Sequence, residues 1–319
     1  MGRFAPTPSG RMHLGNVFAA LIAWASVRSR DGEMVLRMED LDTQRTSGEF
    51  AEILRQDLAW LGLTYDRETP PQSSRGKAYD EYFHRLEELG LIYPCYCTRS
   101  QLHSVNAPHL SDGTYVYPGT CRNLTEPPAG RAPAWRVTVP DRIYSLEDRC
   151  QGHYDLNLAT ECGDFVVRRA DGVYVYQLAV TVDDGEAGVT EVVRGMDLLS
   201  SAPRQMYLQE VLGFPQPEYG HVPMLLAPDG RRLSKRDRDL DLGVLKERMT
   251  PEASTMPSIS AGLSRMTASG KCSCTRRLGS KPSSPWTATI CMSQKSFSWA
   301  NTLAKALAWE FSLPIMPMR

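Results

Sequence analysis

The sequence predicts an α/β fold with a doubly wound parallel sheet. Short apolar, strand-like segments alternate with amphipathic helical segments in the first part of the chain, and again after about residue 163. Between these parts the pattern breaks into short extended pieces rich in proline, glycine and cysteine. Strand–helix–strand units at this spacing form right-handed parallel crossovers. The sequence therefore indicates a Rossmann-type domain that is split by a small insertion.

The first half of this domain contains two predicted strands and three predicted helices. In the first helix the apolar residues Leu14, Phe18 and Leu21 recur at helical spacing, which indicates a buried face. The segment Thr46-Ser47-Gly48-Glu49 predicts a capping box at the start of the second helix. The predicted elements are a strand at Gly2–Ala5, a loop at Pro6–Gly10, a helix from Leu14 to about Arg30, a strand at Met34–Arg37, the helix that this capping box opens, with the apolar residues Phe50, Ile53, Leu54, Leu58 and Leu61, and a helix from about Ala78 to Leu89.

Regular patterning resumes after the insertion and stops near Met249. The predicted elements are a strand at Phe165–Val167, a helix near Tyr176–Thr181, a strand at Val189–Val193 and a helix from about Ala202 to Leu212. From Pro251 to Arg319 there is no aspartate and there are only two glutamates, and helical periodicity is almost absent before Asn301. Such a stretch lacks the pattern of a packed domain. A disordered tail and a reading-frame shift both explain it, and we favour the second.

We accordingly divide the chain into four segments. They are a first half of the sheet domain (1–94), the insertion (95–162), a second half (163–249) and an atypical tail (250–319).

Composition excludes several classes of protein. The net charge of −1 provides no global basic field for nucleic acid, although a local basic stripe would suffice. No apolar run reaches the roughly 18 residues that a membrane-spanning helix needs. The eight cysteines do not form the framework of a disulfide-stabilised secreted domain. We therefore expect a cytoplasmic, monomeric enzyme with no membrane partner.

The segment His13-Leu14-Gly15-Asn16 lies where the first loop meets the first helix. Backbone N–H groups at a helix N-terminus bind phosphate, and a glycine lets a nucleotide approach closely. A histidine there can donate a hydrogen bond to phosphate oxygens. Taken alone, however, such a segment is more often only a turn and a helix cap.

A second basic segment, Gly230–Asp237, contains Ser234 and Lys235. A lysine on a loop can stabilise the charge on the α- and β-phosphates during in-line transfer. An isolated segment of this kind would be read as an exposed basic turn. Because ligands of doubly wound sheets bind at the carboxyl ends of the strands, the two segments together predict ATP-dependent activation of a carboxylate.

Five separated segments, in the right order, resemble class I glutamyl-tRNA synthetases. They are Arg3–Gly10, His13–Asn16, Arg37–Asp42, Val193–Leu198 and Arg232–Arg236, so the resemblance covers about residues 3–250. Asn16 stands where the usual first motif ends in histidine, and Leu233 stands where the second has methionine. The retained His13, Gly15 and Lys235 imply that activation survives.

The resemblance implies an ATP site and a glutamate site. His13, Gly15 and Lys235 would be catalytic, and the ATP-binding set would be His13, Gly15, Asn16, Leu233, Ser234 and Lys235, with Mg²⁺ accompanying ATP. The glutamate-binding set would be Arg3, Ala5, Thr7, Glu39, Tyr176 and Arg194. Arginines suit the two carboxylates of glutamate because they donate in a bidentate manner, and Glu39 can accept from its ammonium group. Individually, Arg3 and Arg194 would be interpreted as surface or ion-paired arginines, and Glu39 as a helix cap or a salt-bridge partner of a neighbouring arginine.

The insertion carries Cys95-x-Cys97 and Tyr117-x-x-x-Cys121, which together offer three thiolates and a phenol. One structural zinc ion is the natural occupant of a closed, sulfur-rich site. We favour a metal site over a set of buried free thiols. Tyr117 is the weakest member, because a core tyrosine would also explain it.

The cysteine pattern also indicates which branch of these synthetases the chain resembles. Glutamyl-tRNA synthetases of the standard bacterial type end this site in Cys-x-His, whereas Cys121 is followed by Arg122 and Asn123. The Cys-x-Cys and Tyr-x-x-x-Cys arrangement, with only a short segment after Met249, resembles glutamyl-Q tRNA(Asp) synthetases, a branch that lacks the anticodon-binding domain.

This branch implies activation of L-glutamate without tRNA and its transfer to queuosine in the anticodon loop of tRNA(Asp). Local charge for RNA contacts would come from Arg231, Arg232, Arg236 and Arg238, although a solvated loop is an equal alternative. Two other functions remain open. One is a truncated glutamyl-tRNA synthetase that charges the 3′ end of tRNA(Glu), and the other is a non-catalytic RNA-binding relative.

Overall fold

A computed structural model describes residues 1–98, 101, 116–224 and 242–248. This part of the chain contains ten strands and six α-helices. They are β1 (Gly2–Phe4), α1 (Leu14–Arg28), β2 (Met34–Leu36), α2 (Gly48–Trp60), β3 (Arg67–Glu68), α3 (Gly76–Glu88), β4 (Ile92–Cys95), β5 (Ala134–Val137), β6 (Ile143–Asp148), β7 (Gly152–Asn157), β8 (Phe165–Arg168), α4 (Tyr176–Ala187), β9 (Glu191–Gly195), α5 (Ala202–Leu212), β10 (Glu218–Val222) and α6 (Leu242–Arg248).

A central sheet of five parallel strands confirms the predicted α/β architecture. Its strand order is β10-β9-β1-β2-β3, so β1 lies in the middle between β9 and β2. From β1 the chain continues outward to β2 and β3 on one side, and later to β9 and β10 on the other. A crevice therefore opens beyond the carboxyl ends of β1 and β9, where this reversal occurs.

Helix α1 is buried on nearly all sides, although the sequence predicted one apolar face. Its residues Phe18, Leu21, Ile22 and Trp24 belong to the same apolar core as Leu54 of α2. The helix ends at Arg28, two residues before the predicted end, because the chain turns there and the Gly32 N–H returns to the Val27 carbonyl at 3.0 Å.

The predicted capping box at the start of α2 is wrong by one residue. Ser47 is the N-cap, and its hydroxyl accepts a hydrogen bond from the Phe50 N–H at 3.2 Å. The third helical residue is therefore Phe50, which cannot return a side-chain bond, and Glu49 lies one position earlier. The Thr46 hydroxyl instead donates to the Asp42 carbonyl at 2.9 Å. A simple serine cap thus starts this helix.

Two smaller antiparallel sheets are formed by the part of the sequence between β3 and β9. One contains β4, β5 and β8, and the other is the β6–β7 hairpin. The three-stranded sheet joins strands from before, within and after the insertion, and the proposed boundary at residue 94/95 falls inside β4. The insertion is therefore bonded into the surrounding fold by strand pairing at this sheet.

Several predicted features lie outside the described residues. These include Leu233, Ser234 and Lys235 of the second ATP motif, the four arginines around them, and the tail after Met249. None of the described helices combines the length and the apolar character that crossing a membrane requires.

Candidate active site

A cleft of about 620 Å³ opens at the carboxyl ends of β1 and β9. A volume of this size is typical of sites for small-molecule ligands. The described residues that the sequence predicted for ATP and glutamate all line it: Arg3, Ala5, Thr7, His13, Gly15, Asn16, Glu39, Tyr176 and Arg194. The fold therefore brings together residues from distant parts of the sequence at the switch point of the sheet.

His13 is the N-cap of α1, and its neighbours hold its ring in place. The Gly15 N–H donates to His13 Nδ1 at 3.1 Å. The His13 N–H in turn donates to the Asn16 side-chain oxygen at 3.2 Å, which completes a capping box. Asn16, the departure from the usual motif, thus helps to fix the cap. Since Nδ1 accepts, the neutral ring carries its proton on Nε2, where it can donate to a phosphate.

Gly15 leaves room for the histidine ring. A Cβ at this residue would lie 3.0 Å from His13 Cε1 and 3.1 Å from Nδ1. The ring would have to move by a few tenths of an ångström to accept a side chain here. The glycine therefore favours the observed position of the ring on its cap.

Of the described residues on either side of the second ATP motif, one lines this cleft and the other is bonded to a residue that does. Met224, which precedes the motif, lines the cleft. Leu242, which follows it, is fully buried, and its N–H donates to the carbonyl of Met12 at 3.0 Å. Met12 is adjacent to His13 and also lines the cleft. The described chain before the motif therefore ends at the cleft, and it resumes after the motif next to the first motif.

Arg194, at the end of β9, is almost completely buried and is held from several sides. Its Nη1 donates to Gln205 Oε1 at 2.9 Å and to the Tyr176 hydroxyl at 3.3 Å. Its Nη2 donates to the Leu198 carbonyl at 3.3 Å, and its Nε donates to His221 at 3.0 Å. A fixed guanidinium of this kind suits recognition of a carboxylate, because its N–H groups are already oriented.

A buried charge network supports the other half of the cleft. Arg37 donates to Asp184 at 2.6 Å and to Glu39 at 3.2 Å, and Arg3 donates to Asp184 at 3.4 Å. The neighbouring Asp183 accepts from other side chains, namely Gln72, Arg75 and Tyr79. Helix α4 thus supplies two carboxylates that anchor cations of the first half of the sheet domain.

Burial and the neighbouring arginines together set the pKa values of the carboxyl groups in this network. It raises the pKa of Glu39, although Arg37 and Arg3 oppose the shift. Burial also opposes ionisation of Asp184, but Arg37 and Arg3 outweigh it and hold the pKa of that carboxyl below its usual value. Asp184 is therefore ionised at neutral pH beneath the cleft. The ionised form of Glu39 would be stabilised by the binding of a cation such as an ammonium group.

Sequence reasoning missed other charged residues of the cleft. Its wall also includes Arg11, Asp42, Arg45 and Asp197. Asp42 and Asp197 belong to segments that carried the family resemblance, and each follows a strand of the parallel sheet, so their position was the available indication. They add two carboxylates and two cations to the rim.

The cysteines of the insertion form a compact cluster. The sulfur atoms of Cys95, Cys97 and Cys121 all lie within 4.8 Å of one another, and the Cys97 and Cys121 sulfurs are 3.5 Å apart. The Tyr117 hydroxyl oxygen lies 3.5 Å from the Cys95 sulfur and 3.6 Å from that of Cys97. Two sulfurs at adjacent corners of a zinc tetrahedron are about 3.8 Å apart. The spacing fits a zinc ion.

Two cations flank this cluster. The Arg136 guanidinium lies over the Tyr117 ring at 3.7 Å, and its Nε donates to the Cys95 sulfur at 3.2 Å. Arg122 pairs with the buried Asp164. Burial opposes ionisation of Cys95, but its hydrogen bonds with Tyr117 and Arg136 outweigh this effect, so the pKa of this thiol lies below its usual value.

Comparison with known proteins agrees with the geometry of the cleft. A model of the catalytic domain of class I tRNA synthetases for glutamate and glutamine matches residues 1–290. A glutamyl-Q tRNA(Asp) synthetase of Nitratidesulfovibrio vulgaris is 45% identical over 268 residues, which cover 79% of this chain and 82% of the relative. One of Thiobacillus denitrificans is 48% identical over 75% of this chain and 78% of the relative. The chain belongs to the glutamyl-Q tRNA(Asp) synthetase family.

Membership in this family makes the protein a ligase-type enzyme of the class I synthetases, and it confirms the resemblance seen in the sequence. Among solved structures, a glutamate tRNA ligase of Elizabethkingia meningosepticum in complex with its amino acid is similar, with 31% identity and a TM-score of 0.64. The match covers 74% of this chain but only 52% of the ligase. The shared part contains the family's catalytic fold.

Proposed function

We propose that this enzyme activates glutamate with ATP and transfers it to the queuosine base in the anticodon loop of tRNA(Asp). The observation that carries the proposal is that the predicted ATP and glutamate residues within the described part of the chain all line one cleft. The names of the relatives support the choice of amino acid and acceptor. The longer glutamate-tRNA ligases fit less well, since the match covers about half of their length.

In the first step the glutamate α-carboxylate attacks the α-phosphorus of ATP, which forms glutamyl-adenylate and releases pyrophosphate. His13 Nε2 would donate to the phosphates, and the positive end of the α1 dipole beside Gly15 would stabilise their charge. Lys235 would reach the same phosphates from the second motif. Mg²⁺ bound to ATP would neutralise further charge.

The glutamate pocket would lie against Arg3 and Arg194, which are on the neighbouring strands β1 and β9. Arg194 and Tyr176 would bind one carboxylate, and Arg3 the other. Glu39 would accept from the ammonium group, and the Ala5 backbone and the Thr7 hydroxyl would complete the pocket. Arginine gives orientation as well as charge, because its N–H groups match the two oxygens of a carboxylate.

In the second step a hydroxyl of the queuosine cyclopentene-diol attacks the acyl carbonyl of the adenylate. An ester forms, AMP leaves, and the hydroxyl proton is released. The acceptor is thus a nucleoside inside the tRNA rather than its 3′ end.

Amino-acid specificity tests the activation step. Purified protein with ATP, labelled pyrophosphate and no tRNA should exchange label into ATP in the presence of glutamate. Aspartate and glutamine should support much less exchange, because each fails to match one of the two carboxylate contacts. Equal exchange with all three amino acids would contradict the glutamate pocket, and exchange with none would favour a non-catalytic relative.

We also propose that Cys95, Cys97, Cys121 and Tyr117 hold one structural zinc ion. The three sulfurs lie within 4.8 Å of one another, the phenol oxygen lies 3.5 Å from the Cys95 sulfur, and Arg136 beside them would offset the negative charge of the ligands. The ion would link the end of β4 to the segment around residues 117–121 and would take no part in the chemistry at the cleft.

Replacing Cys97 with serine should lower both the zinc content and the thermal stability of the protein. Serine is a weaker ligand for zinc than a thiolate, and metal binding to such a site stabilises the fold directly. Metal analysis and thermal unfolding measure the two effects. Cys150→Ser is the control, because Cys150 is buried away from the cluster and its replacement should leave the zinc content unchanged. A parent protein without zinc would refute the site.

A further inference from the structure

A buried histidine and aspartate lie directly behind Arg194. His221, on β10, pairs in register with Arg194 on β9, and its Nε2 is 3.0 Å from Arg194 Nε. Its Nδ1 lies 2.6 Å from Asp148 Oδ2, and both side chains are completely buried. Neither residue lines the cleft, whereas Arg194 does. Any influence on a ligand would therefore pass through the arginine.

The contacts determine which histidine nitrogen carries the proton. An arginine Nε–H can only donate, so His221 Nε2 must accept. The proton of the neutral ring is then on Nδ1, where it donates to Asp148. Asp148 is itself fixed, because its Oδ1 accepts the backbone N–H groups of Cys150, Gln151 and His221 at 2.9, 2.9 and 3.0 Å. The order of donation runs from Arg194 through His221 to Asp148.

The electrostatic surroundings favour this neutral form. The groups that face His221 are Asp148 from β6, Arg194 from β9, Arg3 from β1 and the stacked Tyr219 ring of its own strand. Burial lowers the pKa of His221 to about 4; the bond to Asp148 opposes this shift, and Arg194 adds to it. The ring therefore stays an acceptor at neutral pH.

We propose that His221 and Asp148 are positioning residues that set the orientation of the Arg194 guanidinium for glutamate. Because His221 holds Nε from the sheet, the two Nη groups are the ones directed toward Tyr176 and Leu198, which line the cleft. A guanidinium without this anchor could rotate and would lose the fixed orientation that its contact with a carboxylate needs. The inference rests on the proposed glutamate site and adds the residues that preorganise it.

Asp148→Asn gives a sharp test, because it preserves the shape of the side chain and replaces the oxygen that faces His221 with an N–H donor. The amide oxygen can keep the backbone contacts of Oδ1, while the amide nitrogen faces His221 Nδ1. The histidine proton must then move to Nε2, where it opposes the Arg194 Nε–H. In glutamate-dependent pyrophosphate exchange the KM for glutamate should rise about tenfold or more, with the KM for ATP and kcat changed by less than about threefold.

Two His221 variants provide matched controls. His221→Leu removes the acceptor and should raise the KM for glutamate as Asp148→Asn does. His221→Gln places a carbonyl oxygen near the position of Nε2 and should restore most of the affinity. An unchanged KM for glutamate in both Asp148→Asn and His221→Leu would overturn the inference. If kcat fell and both KM values rose to the same extent in all three variants, the two residues would have a structural role only, and the inference would be overturned as well.

The parent protein tests the same idea without a substitution. Nitrogen NMR of ¹⁵N-histidine-labelled protein should show His221 as the neutral Nδ1–H tautomer, without titration between about pH 5.5 and 8. An Nε2–H tautomer would overturn the inference even if a variant fails to fold. A parent protein that exchanges no pyrophosphate would overturn the proposed function and this inference with it, whereas an active parent with unchanged variants would overturn the inference alone.

Discussion

Replacing Lys235 with alanine is expected to reduce glutamate-dependent ATP–pyrophosphate exchange by roughly a thousandfold or more, the cost of removing a fixed charge that stabilises a transferring phosphate. The described residues nearest to the second motif support this expectation, since Met224 lines the cleft and Leu242 is bonded to Met12. Lys235 would act on the transition state, so the loss should fall mainly on kcat.

The fold should survive this change, because a charged lysine is rarely part of a packed core. Thermal unfolding of Lys235→Ala should therefore match the parent protein. Lys77→Ala is the control, since Lys77 is exposed on α3, away from the cleft, and should retain full exchange. Exchange that is unchanged in Lys235→Ala would contradict the catalytic role of the second motif.

Replacing Asp184 with alanine is expected to lower the free energy of unfolding by about 3–5 kcal/mol, the usual cost of breaking a buried ion pair by removing one partner. Asp184 is the shared acceptor for Arg3 and Arg37, and both arginines are nearly inaccessible to solvent. Without it, two buried cations would lose their common counter-ion. Urea unfolding measures the change.

Two further variants separate burial from charge. Asp171→Ala removes a half-exposed partner of Arg169 and should cost less than about 1 kcal/mol, because exposed ion pairs contribute little. Asp184→Asn keeps the shape of the side chain but not its charge, and its free energy of unfolding should be close to that of the alanine variant. A loss for Asp184→Ala no greater than that for Asp171→Ala would contradict the buried network.

The parallel sheet and the cleft-lining residues could be predicted because their indications are local. A strand, a Pro/Gly-rich loop and a helix cap occur within the first sixteen residues, and the resemblance then placed Arg3, Glu39 and Arg194. The roles of these residues remain proposals, but their common location follows from a simple rule: parallel strands deliver their carboxyl ends to one edge of the sheet.

The supporting contacts could not be predicted, because they join residues that are distant in the sequence. Asp184 follows Asp183 within α4, and nothing in the neighbouring sequence indicates that it meets Arg3 and Arg37. His221 and Arg194 meet only because β10 pairs with β9 in one register. The β6–β7 hairpin could not be predicted for another reason. Strand β6 exposes Ile143 and buries Asp148, against the usual apolar pattern.

The central claim is that glutamate is transferred to queuosine, and one measurement tests it directly. Protein, ATP and labelled glutamate are incubated with tRNA(Asp) that contains queuosine, with tRNA(Asp) that lacks it, and with tRNA(Glu). We predict label on the queuosine-containing tRNA(Asp) alone. Label on the 3′ end of tRNA(Glu) would instead identify a truncated glutamyl-tRNA synthetase, and equal labelling of the two forms of tRNA(Asp) would contradict the claim.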